Sequence, residues 1–175
     1  MHAISLAFAI LINEQFPGSA LDPSWKANKG KWEVVGGVVK ATELAADKHA
    51  AVIRRAVAYR DAVIEFDFKL AGADWVALSL NKKGAHVSRV VVGPGGFRVQ
   101  KDSPGIVLGK SDQSISANEW HTMRVVVEGR RMTATLDGKV AVSGEHEAID
   151  CDKVDIGFPV KGDSVYLRNV KVTTR

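Results

Sequence analysis

Apolar and polar residues alternate in twos along most of the chain after residue 20. "RDAVIEFDFKL" (60–70) sets Ala62, Ile64, Phe66, Phe68 and Leu70 on one side and Val63, Glu65, Asp67 and Lys69 on the other. An antiparallel strand with one face in a core and the other in water carries this pattern. "NEWHTMRVVVEGRRMTATLDGKVAV" (118–142) repeats it. Met123, Val125 and Val127 share a face, a Glu-Gly-Arg-Arg turn follows, and Met132, Ala134 and Leu136 alternate on the return. Asp137-Gly138 then closes the run with the strongest hairpin signal in the chain.

Such runs recur at about ten-residue intervals, as they do in all-β sandwiches and barrels. They predict strands over residues 31–35, 38–42, 51–54, 62–70, 75–81, 86–92, 97–101, 120–128, 132–136, 140–143, 154–160 and 165–173. Gly36-Gly37 and Pro94-Gly95-Gly96 supply turns, and "ELAAD" (43–47) is the credible helical turn outside the N-terminus. Many short strands with one wet face need two packed sheets, so the fold class is all-β, a single-domain antiparallel β-sandwich. The immunoglobulin type is disfavoured, because its Cys, Trp, Cys framework is missing.

The N-terminal run "AISLAFAILI" (3–12) is broken only by Ser5. It has the length of a signal-peptide core and is too short to span a bilayer, so no transmembrane segment is expected. No Lys or Arg precedes it, which leaves an edge strand or short helix as the rival reading. Residues 1–13 are therefore an apolar N-terminal segment, a signal-like remnant or edge strand, and residues 14–175 form the sandwich domain.

With 175 residues, 46% hydrophobic and 25% charged, the chain suits one ordinary globular domain. The net charge of +4 comes from Lys and Arg scattered in ones and twos. No basic stripe interleaves with aromatics, which argues against nucleic acid as a partner. Cys151 is the only cysteine, which excludes an intrachain disulfide and a cysteine cluster. Nothing in the pattern sets an oligomeric state.

Four segments together resemble the concanavalin A-like jelly rolls, and within them the 3-keto-disaccharide hydrolase domain family, often labelled laminarinase-like. They are "FPGSALDPSWKANKGKWEVVGGVVKAT" (16–42), "YRDAVIEFDFKL" (59–70), "NEWHTMRVVVEGRRMTATLDGK" (118–139) and "VDIGFPVKGDSVYLRNVKV" (154–172). The resemblance covers nearly all of the chain after residue 13. It implies a jelly-roll sandwich, a carbohydrate ligand and export to the periplasm or cell exterior, although no clear signal peptide is present. It also implies attack on glycosides already oxidised at carbon 3. A base removes the proton beside the ketone, and the glycosidic oxygen leaves carbon 1.

Glu65 and Asp67 stand two apart on one strand face, roughly 6.5 Å between Cα atoms. Retaining glycosidases on similar jelly rolls use a Glu-x-Asp-x-x-Glu strand. Leu70 holds the third acid's place here, which disfavours conventional retaining hydrolysis. For elimination, His86 or Asp67 is the candidate base and Arg98 the enolate stabiliser, with Glu65 beside them. Trp75, at a strand start, is a candidate platform for a pyranose ring. Ser88, Gln100 and Asp102 are candidate sugar contacts, expected to share one surface with Glu65 and Asp67.

The five His residues (2, 49, 86, 121, 146) show no ligand spacing, so no metal site or cofactor is expected, while a structural calcium ion stays open. "GADWVALSLNKKGAH" (72–86) makes a short hairpin with little to enclose a sugar. Two alternatives therefore stand beside the enzyme. One is a non-catalytic glycan-binding module with Trp75 or Phe97 exposed, and the other is a structural or partner-binding sandwich.

Overall fold

The computed structural model describes residues 8–174. Within them the alternating runs form β1 (Ile10–Glu14), β2 (Trp25–Lys29), β3 (Lys31–Val35), β4 (Val38–Thr42), β5 (Ala51–Tyr59), β6 (Ala62–Lys82) and β7 (Ala85–Gly93). Then come β8 (Gly96–Lys101), β9 (Ile106–Ser111), β10 (His121–Glu128), β11 (Arg131–Leu136), β12 (Val140–Glu145) and β13 (Lys153–Thr174). All pairings are antiparallel. The fold is the expected single-domain jelly-roll sandwich.

Two strands exceed the expected lengths. Residues 62–70 and 75–81 merge into β6, and residues 154–160 and 165–173 merge into β13. The two pair almost end to end, from Thr174 opposite Ala62 to Asp155 opposite Asn81. Midway the register slips at Lys161/Gly162, Gly162/Ser164 and Ser164/Val165. Gly72 (φ 91) and Gly162 (φ 92) sit at this corner. A Cβ on Gly162 would lie 2.7 Å from the backbone nitrogen of Asp74, so the crossing closes only on glycine.

At the corner the strand pair passes from one sheet into the other. Sheet I carries β12-β11-β10, the first half of β6, the second half of β13, then β4-β3, with β1 beside the end of β13. Sheet II carries β9-β8-β7, the second half of β6, the first half of β13, then β5-β2. Even-numbered side chains of β6 face inward on both halves: Ile64, Phe66 and Phe68 in sheet I, Val76, Leu78 and Leu80 in sheet II. Phe66 meets Phe158 of sheet II edge-on, ring centroids 5.1 Å apart, so the two layers touch at the centre of the core.

On one side the sandwich is closed without hydrogen-bonded pairing. β9 lies against β12, and glycines set the distance: a Cβ on Gly144 would stand 2.3 Å from Cβ of Leu108. At one end, Lys153 is 1% exposed, and its ammonium donates to the carbonyls of Arg60, Ile149 and Cys151 at 2.8, 2.8 and 2.9 Å. Its three N–H donors are thereby all used, as a buried ammonium requires.

Asp137 (φ 50) and Gly138 (φ 65) both take left-handed backbone, as a type I′ hairpin turn needs. The segment expected as a helical turn holds a single 3-10 turn, Ala45–Asp47. β2 and β9 were not foreseen. Of the apolar N-terminal run, residues 1–7 lie outside the described residues, and Ile10–Glu14 pairs with the end of β13. No helix among the described residues is long and apolar enough to cross a membrane.

Candidate functional site

The outward side of sheet II is sunk at its centre. Ala77, Ser79 and Asn81 on β6 point away from the core, yet they are 0%, 3% and 2% exposed. Gly157 of β13 lies opposite Ser79, and Arg54 of β5 lies opposite Gly157. On the other flank Arg89 and His86 of β7 stand opposite Ser79 and Asn81, and Gln100 and Arg98 of β8 continue outward. Small residues at 77, 79 and 157 leave room above the strands. The result is a cavity of about 340 Å³ walled by His49, Arg54, Trp75, His86, Arg89 and Lys161 over Ser79 and Gly157. Across Trp75 lies a second depression of about 270 Å³ bounded by Phe97, Arg98, Lys110 and Asp112, so the half-buried indole divides the two.

Beneath the cavity a polar network fixes one imidazole. Asn81 Nδ2 donates to Asp155 Oδ1 at 2.5 Å, which orients the amide so that its oxygen accepts from the hydroxyl of Ser79 at 3.0 Å. The same oxygen lies 2.6 Å from His86 Nδ1. Nδ1 must therefore carry the proton, leaving the lone pair on Nε2. Burial, together with the nearby positive charges of Arg89 and Arg54, holds the imidazole below its ordinary pKa. At neutral pH His86 is an uncharged base.

Cations and their carboxylates are layered. Asp102, 7% exposed, pairs through Oδ2 with Arg89 Nε at 2.7 Å and accepts from Gln100 Nε2 at 2.9 Å. Gln100 Oε1 in turn accepts from Arg98 Nε at 2.9 Å. Lys161 reaches Glu43 at 2.6 Å, and Glu43 also accepts from the Gly162 amide at 2.8 Å. These donors hold the Glu43 carboxyl below its usual range. In each case the acid sits behind or beside its cation and outside the cavity wall.

The structure brings together five of the residues named from sequence: Trp75, His86, Arg98, Gln100 and Asp102 belong to sheet II and its margin. It separates the other three. Ser88 is fully buried on the core side, its hydroxyl 3.6 Å from the sulfur of Met132, away from the cavity. Glu65 and Asp67 lie on the outer face of sheet I, on the opposite side of the sandwich. The reason is the corner in β6: the half before Gly72 and the half after it belong to different sheets. Asp67 accepts from Thr122, Asn169 and Arg168 at 2.8, 2.6 and 3.1 Å, and Glu65 pairs with Arg124 at 3.6 Å. Phe97, expected in the open for a lectin-like groove, is 3% exposed and packs in the core.

His49, Arg54, Ser79, Asn81, Gly157 and Lys161 were not foreseen. One local signal pointed to part of them. In "WVALSLN" (75–81) the outward positions hold the small or uncharged Ala77, Ser79 and Asn81, where positions 65, 67 and 69 hold charges. Among the described residues no three His, Cys, Asp or Glu side chains converge as a metal-ligand set.

The family model described as 3-keto-alpha-glucoside-1,2-lyase-like domain matches residues 12–173. No curated protein matches the chain significantly in sequence. Among solved structures the chain is similar to the carbohydrate binding module CBM66 from Bacillus subtilis, with a TM-score of 0.69, 15% identity, and 86% of this chain and 94% of that one covered. It is similar to the Bacillus licheniformis beta-glucanase, with a TM-score of 0.68, 10% identity, and 94% and 97% covered. It is also similar to the laminarinase from Rhodothermus marinus, with a TM-score of 0.70, 9% identity, and 96% and 98% covered. At these identities the likeness to the solved structures is one of fold.

Proposed function

The chain belongs to the 3-keto-alpha-glucoside-1,2-lyase-like domain family, and from that premise we propose that the hollow on sheet II binds a carbohydrate and eliminates across carbons 1 and 2 of a 3-keto-glycoside. His86 Nε2 takes the proton from carbon 2, and the bonding electrons pass into the enolate at carbon 3. The guanidinium group of Arg89 stabilises that charge as it develops. The electrons then return to re-form the ketone and make a double bond between carbons 1 and 2, and the bond from carbon 1 to the glycosidic oxygen breaks. The departing oxygen takes a proton from water, and His86 releases its own to solvent. Trp75 offers its face to a sugar ring, with Arg98 and Gln100 beyond it for the leaving portion.

The observation that carries this reading is His86 itself: an uncharged imidazole whose tautomer is set by Asn81, beside two guanidinium groups on a cavity wall. Hydrolysis by paired carboxylates finds no support, because among the described residues no Asp or Glu lines that cavity. Fold likeness to a carbohydrate binding module and to glucanases agrees with a sugar ligand without deciding the chemistry. The test is incubation with 3-keto-glucosides, following release of the aglycone and of the unsaturated keto sugar. Turnover that disappears in His86→Ala supports the lyase, and normal turnover in that variant removes the proposed base.

A second reading, sugar binding without turnover, is favoured by the shape of the site. The depression across Trp75 stands wide open to solvent and the cavity beside it is only partly enclosed, whereas elimination profits from excluded water. Saturable binding of a 3-keto-glucoside with no product formed would establish it.

A further inference from the structure

Resting on the reading of this hollow as a carbohydrate site, we infer that its ligand is an acidic sugar, whose oxyanion is received by Arg54 with Arg89 and Lys161 alongside. The cavity wall carries three permanent cations, Arg54, Arg89 and Lys161, and two imidazoles, His49 and His86, with no carboxylate among them. Neutral sugars present hydroxyls, which donate as well as accept, so a site for them needs acceptors beside its donors. Here the nearby acids are already taken. Asp102 holds Arg89, Glu43 holds Lys161, and Asp155 accepts from Asn81. What faces the cavity is rich in donors and poor in acceptors. A carboxylate or phosphate, which only accepts, matches it.

Arg54 is the distinguishing group. Among the described residues its side chain makes no hydrogen bond or ion pair with a protein group, in contrast to those of Arg89 and Lys161. It stands in register with Gly157, whose missing side chain makes room for the arginine stem. A Cβ there would come within 3.3 Å of Arg54 Cγ and of the Ile53 carbonyl. The positive charge extends past Arg54 along the rim, where Lys82 and Lys83 border the same wall with His86. Asp155 also reaches that rim, with its carboxylate engaged by Asn81. After burial and Arg89, the guanidinium also helps to lower the His86 pKa, so the basic groups act on one shared space. An arginine fork receives a carboxylate or phosphate in two parallel bonds, which a neutral hydroxyl cannot reproduce.

The test measures binding of four probes to the whole chain by calorimetry: methyl glucuronide, its methyl ester, methyl glucoside and glucose 6-phosphate. The expected result is an acidic probe bound at least about tenfold more tightly than the ester and the neutral glycoside, a gap that shrinks as salt screens the charges. Arg54→Gln should erase the gap while melting within a degree or two of the parent, because Arg54 supports no other group; Arg54→Lys should keep part of it. A preference for the uronide over the phosphate identifies the oxyanion as a carboxylate, and the reverse identifies it as a phosphate. Equal binding of acid and ester, an undiminished gap in Arg54→Gln, or no binding of any probe at millimolar concentration overturns the inference. Its failure is distinct from failure of the lyase reading. The first leaves turnover of 3-keto-glucosides intact, and the second leaves the acid preference intact without product.

Discussion

The two outer faces of this sandwich are served by the same strand and solve their charges in opposite ways. On sheet I, Glu65 meets Arg124, and Asp67 is surrounded by Thr122, Arg168 and Asn169. Arg168 then lies 4.0 Å from the ring centroid of Trp120, and Lys69 shares that ring at 5.1 Å. Acids and bases lie side by side at the surface and finish one another. On sheet II the acids are drawn below or beside the cations, at Asp102 and Glu43, and among the described residues Arg54 has none. A carboxylate pair at the right spacing is thus no mark of chemistry when its neighbours complete it. On sheet II the carboxylates are set back and donors dominate the cavity wall, with the lone pair of His86 Nε2 among them.

The sharpest way to break this contrast is to remove a group from each face. His86→Ala is expected to lower release of product from 3-keto-glucosides by about a hundredfold or more, the ordinary worth of a general base. Asp67→Asn on the other face should leave the rate within about twofold, and a loss comparable to that of His86→Ala would return the site to sheet I.

Stability separates the faces next. Arg89→Met leaves the carboxylate of Asp102 sunk without its cation and should cost about 2 kcal/mol, somewhat less than a fully buried pair because the arginine keeps partial contact with water. Urea unfolding reads this directly.

The pH profile sharpens the comparison further. His86 has its folded pKa below the unfolded value through burial and the charges of Arg89 and Arg54. As pH falls through about 6.5, the unfolded chain takes up this proton before the folded one, so native stability declines on the acid side. Over the same window the folded imidazole remains a base, so kcat/KM should hold below pH 6.5 and fall only at the depressed value. An acid limb centred at or above the ordinary histidine pKa would contradict the assignment. The smallest effect belongs to sheet I: Arg124→Met breaks a half-exposed pair and should change stability by no more than about 0.5 kcal/mol.

The scaffold was readable in the sequence because alternation reports which side chains are inside. The inward set Ala62, Ile64, Phe66, Phe68 and Leu70, the Asp137-Gly138 turn and the β10–β11 hairpin all stand where the pattern put them. The site was less readable for a reason contained in the same pattern. Core positions on β6 are even-numbered before the corner and even-numbered after it, so the period of two runs on in phase while the strand changes sheets. Nothing in the alternation signals that odd residues before Gly72 and odd residues after it face opposite ways. Arg54 and Gly157 escaped notice because their importance lies in a pairing across β5 and β13, about a hundred residues apart in sequence. Ser88 and His86 part company locally: Ser88, opposite Leu80, stays in phase with Val90 and Val92 and faces inward, and the register slip between Leu80 and Asn81 sets His86 on the outer face.

The glycine-lined contact between β9 and β12 bears on the protein's life in a crowded solution. Both are terminal strands of their sheets, and each has a row of backbone groups with no further strand beyond it. Such rows invite a strand from another molecule to add on. Gly109 and Gly144 let the two rims approach so closely that an added Cβ would collide with Ser143 and Leu108. Each rim is thereby shielded by the other, and the missing side chains at these two positions guard these two edges against strand addition.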